Sequence, residues 1–313
     1  MFEAVLMILG FALLIKGADI FVNSSVSIAK KLKIPTVIIG LTVVAMGTGT
    51  PEVVISVTAS IQGANALAIG NVVGSNLFNL MFIIGLCAMI KSIPFKVREI
   101  SKDFWISIIA AVMLLGLMII GGAFIPRWGS LILLIAFTAY LVVLIRQALK
   151  SQGNEAPAQE NTGKKRPLPV IILFAVLGCV LIVAGGQLTV DNATKIAVAL
   201  GITERMIGLT IVAMGTSLPE LVTSLVACKK GENEFALGNI IGSNIFNIMF
   251  ILGVAGLISP LEIDRALLFD TIVLIVGSLF ALTFVYTSKR LARREGLIMV
   301  LMYAAYMTFI ILQ

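Results

Sequence analysis

The chain has no histidine, three cysteines and few charges: only 12% of its 313 residues are Asp, Glu, Lys or Arg, against about 25% in an ordinary soluble domain. Without histidine there is no imidazole metal site and no Ser-His-Asp relay. Cys87, Cys179 and Cys228 stand far apart in apolar surroundings with no paired spacing, so they read as packing residues rather than a disulfide or thiolate framework. What remains is 59% hydrophobic with a mean hydropathy of +1.09, and this composition places the chain in a membrane. Its apolar stretches run for about twenty residues or more without alternation, the length that crosses a ~30 Å hydrocarbon core as a helix rather than as a barrel strand. The start, Met1-Phe2-Glu3, lacks the basic region of a secretory leader and reads as the beginning of a retained first helix.

The expected fold is an all-α integral membrane protein of ten spans. These lie at about 4–28, 34–62, 64–90, 103–124, 128–149, 169–197, 202–229, 232–258, 266–288 and 295–312. Residues 1–150 form the first five-helix unit, 151–168 a linker and 169–313 the second unit. The linker includes SQGNEAPAQENTGKKR at 151–166, the only long polar segment. Alternate loops hold roughly 18 Lys and Arg residues and the opposite loops only about three, namely Arg127, Arg205 and Arg265, which puts the rich set and the linker in the cytoplasm and both termini outside the cell membrane. The net charge of +7 is therefore a topology signal and not a nucleic-acid surface. Five spans per unit make the second unit run opposite to the first. Such inverted repeats are a transporter plan whose binding site lies near mid-membrane where the repeats meet.

The repetition is visible in the residues. Positions 40–85 and 208–253 align without gaps at an offset of about 168 and agree at roughly 27 of 46 places. Each copy buries one acid in an apolar run, Glu52 or Glu220, beside Pro51 or Pro219. An acid at mid-bilayer costs about 2.5–3.5 kcal/mol on insertion scales, and two in matching places call for a cation or proton between them. Pro51 has no N–H for the carbonyl of Gly47, so the second helix is expected to break there and leave carbonyl oxygens free, and the seventh likewise at Pro219. Thr48, Glu52 and Ser56 share a helix face, as do Thr216, Glu220 and Ser224; Asn71, Ser75 and Asn79 form a second stripe, copied by Asn239, Ser243 and Asn247. Taken singly, these hydroxyls and amides also suit plain interhelical hydrogen bonding. Together they make an all-oxygen cage that fits a hard cation such as Ca²⁺ or Na⁺. Lys16 and Asp19, three apart in the first helix, are placed to pair, and Lys195 near the end of the sixth is placed to snorkel.

The segments GTGTPE, GTSLPE, GSNLFN and GSNIFN resemble the repeats of the cation/calcium antiporter superfamily, in its sodium/calcium exchanger branch. The resemblance covers the whole ten-span plan. It implies ion ligands at Glu52, Glu220, Thr48, Thr216, Ser217, Ser75, Ser243, Asn79 and Asn247, with backbone carbonyls at Ala45 and Ala213, and a sliding of the first and sixth helices across the other eight. Gly17 and Gly185, equivalent at the repeat offset, suit that contact. Two positions depart from the pattern. Gly49 stands where the second repeat has Ser217, which leaves the sodium sites open, and Asn247 replaces the Asp of potassium-dependent relatives.

The resulting expectation is a non-enzymatic antiporter with no cofactor, exchanging Na⁺ for Ca²⁺ by alternating access within the lipid bilayer. A monomer is compatible with the plan. Calcium/proton antiport, a passive cation channel and a membrane-embedded hydrolase are the alternatives; the last has no nucleophile and base beyond the two glutamates.

Overall fold

In the computed structural model, residues 2–94, 97–151, 167–201, 213–288 and 290–312 are described. The long helices are α1 Phe2–Leu32, α4 Asn65–Ile90, α5 Val97–Gly121, α6 Arg127–Ser151, α7 Leu168–Ala199, α10 Asn233–Ile258, α11 Arg265–Ser288 and α12 Arg293–Leu312. Shorter pieces are α2 Thr36–Thr48 and α3 Thr50–Ile61, then α8 Ala213–Gly215 and α9 Leu218–Lys230. Among the described residues, eight helices are long and apolar enough to cross a membrane, and nine if α2 and α3 form one span. The expected seventh span falls partly on 202–212, outside the described residues. Helix α5 begins six residues before the expected 103, so the basic loop ahead of it is shorter than the hydropathy suggested.

The α2–α3 pair bends by 51° at Gly49. Pro51 sits in the first turn of α3, where a missing N–H is tolerated. The expected free carbonyl at Gly47 is not bare, however. Thr50 Oγ1 donates to it at 2.8 Å, and Cys179 Sγ approaches it at 3.7 Å. A threonine one turn-step ahead of the proline supplies the donor that the proline lacks.

Burial identifies the centre of the bundle. The apolar windows of α4 and α10 are 72% and 83% buried, against 33% for α1 and 28% for α7. Around this centre, exposed residues such as Ile119, Ile120 and Leu173 present the apolar outer surface that a bilayer solvates. Among the described residues, four two-residue strands tie helix ends together: β1 Ile93–Pro94 pairs antiparallel with β4 Arg290–Leu291, and β2 Phe124–Ile125 with β3 Leu261–Glu262. At the offset of about 168 β1 matches β3, while β2 falls two residues from β4, so the two pairings correspond with a two-residue displacement.

Helices α1 and α7 pack along most of their length against each other. They meet backbone to backbone at glycines, so Gly17 and Gly185 join the pair to each other and do not line its expected sliding contact with the other eight helices. A Cβ added at Gly185 would lie 2.6 Å from Leu14 N and 2.7 Å from Gly10 O, and one at Gly17 would lie 2.8 Å from Ile182 N, which only small residues permit. Asp19 on α1 pairs with Lys230 on α9 at 2.6 Å, not with Lys16, and Lys230 also donates to Asn23 Oδ1 at 2.6 Å. The partner comes from another helix, which spacing within α1 could not reveal. Lys195 is exposed, as a snorkelling side chain requires.

Gly185→Leu forces the α1–α7 crossing apart and is expected to destabilise the fold by about 1–3 kcal/mol or more. Thermal unfolding of the purified protein in detergent should show a clearly lowered midpoint, and an unchanged midpoint would contradict this contact.

Candidate functional site

Where α2–α3, α8–α9, α4 and α10 meet, the structure gathers the polar side chains of both repeats. Glu52 is 0% exposed and Glu220 1%, and the two carboxylates are close enough to act on each other electrostatically. Ser217 Oγ donates to Glu52 Oε1 at 3.1 Å; Ser75 Oγ lies 3.4 Å from the same oxygen and 3.0 Å from Ser217 Oγ. Thr48 and Ser243 flank the Glu220 carboxylate. The arrangement crosses over, in that the acid of the first repeat takes a hydroxyl from the second while Thr48 of the first lies beside the acid of the second. Thr216, expected as the counterpart of Thr48, is buried at the end of α8.

Ten buried side-chain polar atoms among the described residues have no hydrogen-bond partner. Five of them belong here: Glu52 Oε2, Glu220 Oε2, Asn79 Oδ1, Asn247 Oδ1 and Ser243 Oγ. Buried oxygens are ordinarily satisfied. Unpartnered oxygens gathered in this region, four of them pure acceptors, have the chemistry to coordinate a cation. No three His, Cys, Asp or Glu side chains come together among the described residues, so a cation held here relies on neutral oxygens beside the two carboxylates. That suits a hard ion of the Ca²⁺ or Na⁺ kind.

The remaining expected residues divide. Ser56 accepts from Asn71 Nδ2 and Ser224 from Asn239 Nδ2, both at 3.0 Å, so these four act as ties between neighbouring helices. Thr48 is shared: its hydroxyl lies 3.1 Å from Val44 O and 3.2 Å from Asn239 Oδ1 as donor. The Ala45 carbonyl accepts from Gly49 N at 3.0 Å, which leaves one lone pair for a further partner. Ala213 opens α8 at the edge of the described residues. A Cβ at Gly49 would lie 3.3 Å from the Phe246 ring and 3.0 Å from Ala45 O, so a ring crowds the place where a serine would match Ser217.

Two features escaped the sequence. Asn76 and Asn244 bridge α4 and α10: Asn79 Nδ2 donates to Asn244 Oδ1 at 3.1 Å and Asn247 Nδ2 to Asn76 Oδ1 at 3.0 Å. Their signal was present, since each stands three before a predicted ligand in both copies of the motif. The second feature is a π-helical turn in each of these helices, Phe78–Ile83 and Phe246–Ile251, beginning beside Asn79 and Asn247. Such turns recur at functional sites.

A cavity of about 500 Å³ leads to this region. It lies between α7 and α3, lined by Gln187, Asp191 and Lys195 near the C-terminal end of α7, and reaches Thr50, Thr216 and Pro219. A second, of about 400 Å³, lies at the opposite end between α1 and α9 beside Lys30, Lys230 and Glu232.

With this geometry in view, the relatives are informative. The family model described as sodium/calcium exchanger protein matches residues 2–146 and 170–312. The chain belongs to the sodium/calcium exchanger family. It is 35% identical to the sodium/calcium exchanger MaX1 of Methanosarcina acetivorans, over 96% of each chain. To the inner membrane protein YrbG of Escherichia coli it is 36% identical, over 94% of this chain and 92% of that one. A solved structure of the sodium-calcium exchanger NCX_Mj, soaked in Na⁺ without Ca²⁺, superposes with a TM-score of 0.82 at 33% identity, covering 98% of both chains.

Glu52→Gln and Glu220→Gln are each expected to abolish Ca²⁺ transport in proteoliposomes while the purified variants remain folded by size-exclusion chromatography. Retained transport in either variant would show that its carboxylate is not required.

Proposed function

We propose that this family member exchanges Na⁺ for Ca²⁺ across the cell membrane by alternating access, at one site built by both repeats. The observation that carries the reading is the cluster of unpartnered buried oxygens on Glu52, Glu220, Asn79, Asn247 and Ser243. Two carboxylates neutralise one Ca²⁺. Na⁺ ions replace it at overlapping positions that draw on the same carboxylates and on Thr48, Thr216, Ser217, Ser75 and the carbonyls of Ala45 and Ala213. No bond is made or broken, so the protein is a transporter and needs no cofactor. The resemblance to MaX1 and NCX_Mj, both sodium/calcium exchangers by name, supports this choice of ions.

The frame for this function is ten spans in two inverted units, 1–150 and 169–313, joined by a cytoplasmic linker at 151–168, with the second and seventh helices broken and both termini outside. The 51° bend at Gly49 supports the first break. The reciprocal strand pairings and the cross-repeat hydrogen bonds support a two-fold relation between the units. In this orientation the larger cavity opens outward, being at the end of α7 remote from the linker. The Lys230–Asp19 ion pair bridges α1 and α9 on the inner side. In this reading the cavity that reaches Thr216 is the outward one, and transport moves α1 and α7, held together at their glycine contacts, across the other helices to open the inner side.

Radiolabelled Ca²⁺ uptake into proteoliposomes under an imposed outward Na⁺ gradient tests the reading. Uptake should follow the Na⁺ gradient and be indifferent to a pH gradient of equal size. Uptake driven by the pH gradient alone would replace the reading with calcium/proton antiport.

A further inference from the structure

We infer that Asn76 and Asn244 are positioning residues that decide which end of the Asn247 and Asn79 side chains faces the transported cation; this rests on the exchange reading above. A primary amide has two ends of nearly the same shape, an oxygen that attracts a cation and an NH₂ whose hydrogens repel it. Shape alone does not choose between them, and in a buried site the hydrogen-bond partners do.

Here those partners form a closed set. Asn247 gives its NH₂ to Asn76 Oδ1 at 3.0 Å, and Asn79 gives its NH₂ to Asn244 Oδ1 at 3.1 Å. Asn76 and Asn244 are in turn held by the main chain. Asn76 Nδ2 donates to the Asn244 carbonyl at 3.0 Å, and Asn244 Nδ2 to the Asn76 carbonyl at 3.3 Å. A backbone carbonyl can only accept, so each clasp amide must turn its NH₂ toward it and its oxygen toward the neighbouring asparagine. That oxygen in turn fixes the next amide. The chain of choices ends at Asn79 Oδ1 and Asn247 Oδ1, buried and without a protein partner.

Each ligand is oriented by a residue of the opposite repeat, through helices α4 and α10 that form the buried centre of the bundle. Asn76 and Asn244 are themselves 0% and 2% exposed, so no solvent competes for these bonds. The clasp therefore joins the two halves and sets the polarity of the site at once. A purely structural clasp would join the halves equally well but would leave ion affinity untouched when altered.

The test compares Asn76→Leu, Asn247→Ala and the double variant by Na⁺-gradient-driven Ca²⁺ uptake, reading half-saturation separately from maximal rate. Asn76→Leu should raise the Ca²⁺ half-saturation roughly tenfold or more, the scale seen when supporting partners of metal ligands are removed. Asn247→Ala should do the same, and the double variant should be no worse than Asn247→Ala alone. Should Asn76→Leu not yield folded protein, Asn244→Leu read against Asn79→Ala makes the mirror-related comparison. An unchanged half-saturation in Asn247→Ala would remove Asn247 from the ion site and overturn the exchange-site reading together with the inference. A raised value in Asn247→Ala with none in Asn76→Leu, or effects that multiply in the double variant, would overturn the positioning role and leave the exchange site standing.

Discussion

Two carboxylates, on Glu52 and Glu220, sit in the interior of a membrane bundle with 0% and 1% of their surface exposed, and everything around them answers to that burden. Like charges in a medium of low dielectric repel strongly and lose their hydration. Side-chain hydroxyls soften this: Ser217 and Ser75 lie against Glu52, and Thr48 and Ser243 beside Glu220. Hydroxyls supply hydrogen bonds but no charge, and the second oxygen of each acid keeps no protein partner. A positive ion that binds there relieves the repulsion and fills the coordination in one step. On the proposed reading, cations replace one another there.

The rest of the fold holds that arrangement while leaving a route to it. Helices α4 and α10 form the rigid centre, locked to each other by reciprocal asparagine bonds. The bend at Gly49 brings Glu52 to the first turn of α3, and Thr50 closes the bond that Pro51 opens, so the break costs less than an exposed carbonyl would. Helices α1 and α7 lie outside this centre and are joined to each other where glycine backbones meet. Close backbone contact of this kind lets the two helices move as a pair. The buried centre carries the proposed ligands and α7 lies beside the cavity, a division of labour that suits alternating access.

Much of this was legible in the sequence because the membrane imposes simple rules. Long apolar runs, a polar linker and the asymmetry of Lys and Arg reveal helices and their expected direction, and a duplicated segment with one acid in each copy points to the site without any knowledge of packing. Eight of the ten expected spans are helices of spanning length among the described residues. What was not legible depended on which helices meet. Asp19 finds Lys230 from α9 and not its neighbour Lys16; Ser56 and Ser224 are claimed by asparagines of the adjacent helix; and Asn76 and Asn244 act only across the repeat boundary. The π turns beside Asn79 and Asn247 leave no mark in composition, since a one-residue widening of a helix changes no hydrophobic pattern. Gly49, which lacks the hydroxyl of Ser217, is also the place where the Phe246 ring packs against the chain.

Anomalous diffraction from crystals soaked in Sr²⁺, a heavier stand-in for Ca²⁺, bears most directly on the claim that both glutamates share one ion. A single peak is expected between the Glu52 and Glu220 carboxylates, within bonding reach of Asn79 Oδ1 and Asn247 Oδ1 and displaced by excess Na⁺. A peak elsewhere in the bundle with none between the two acids would contradict it.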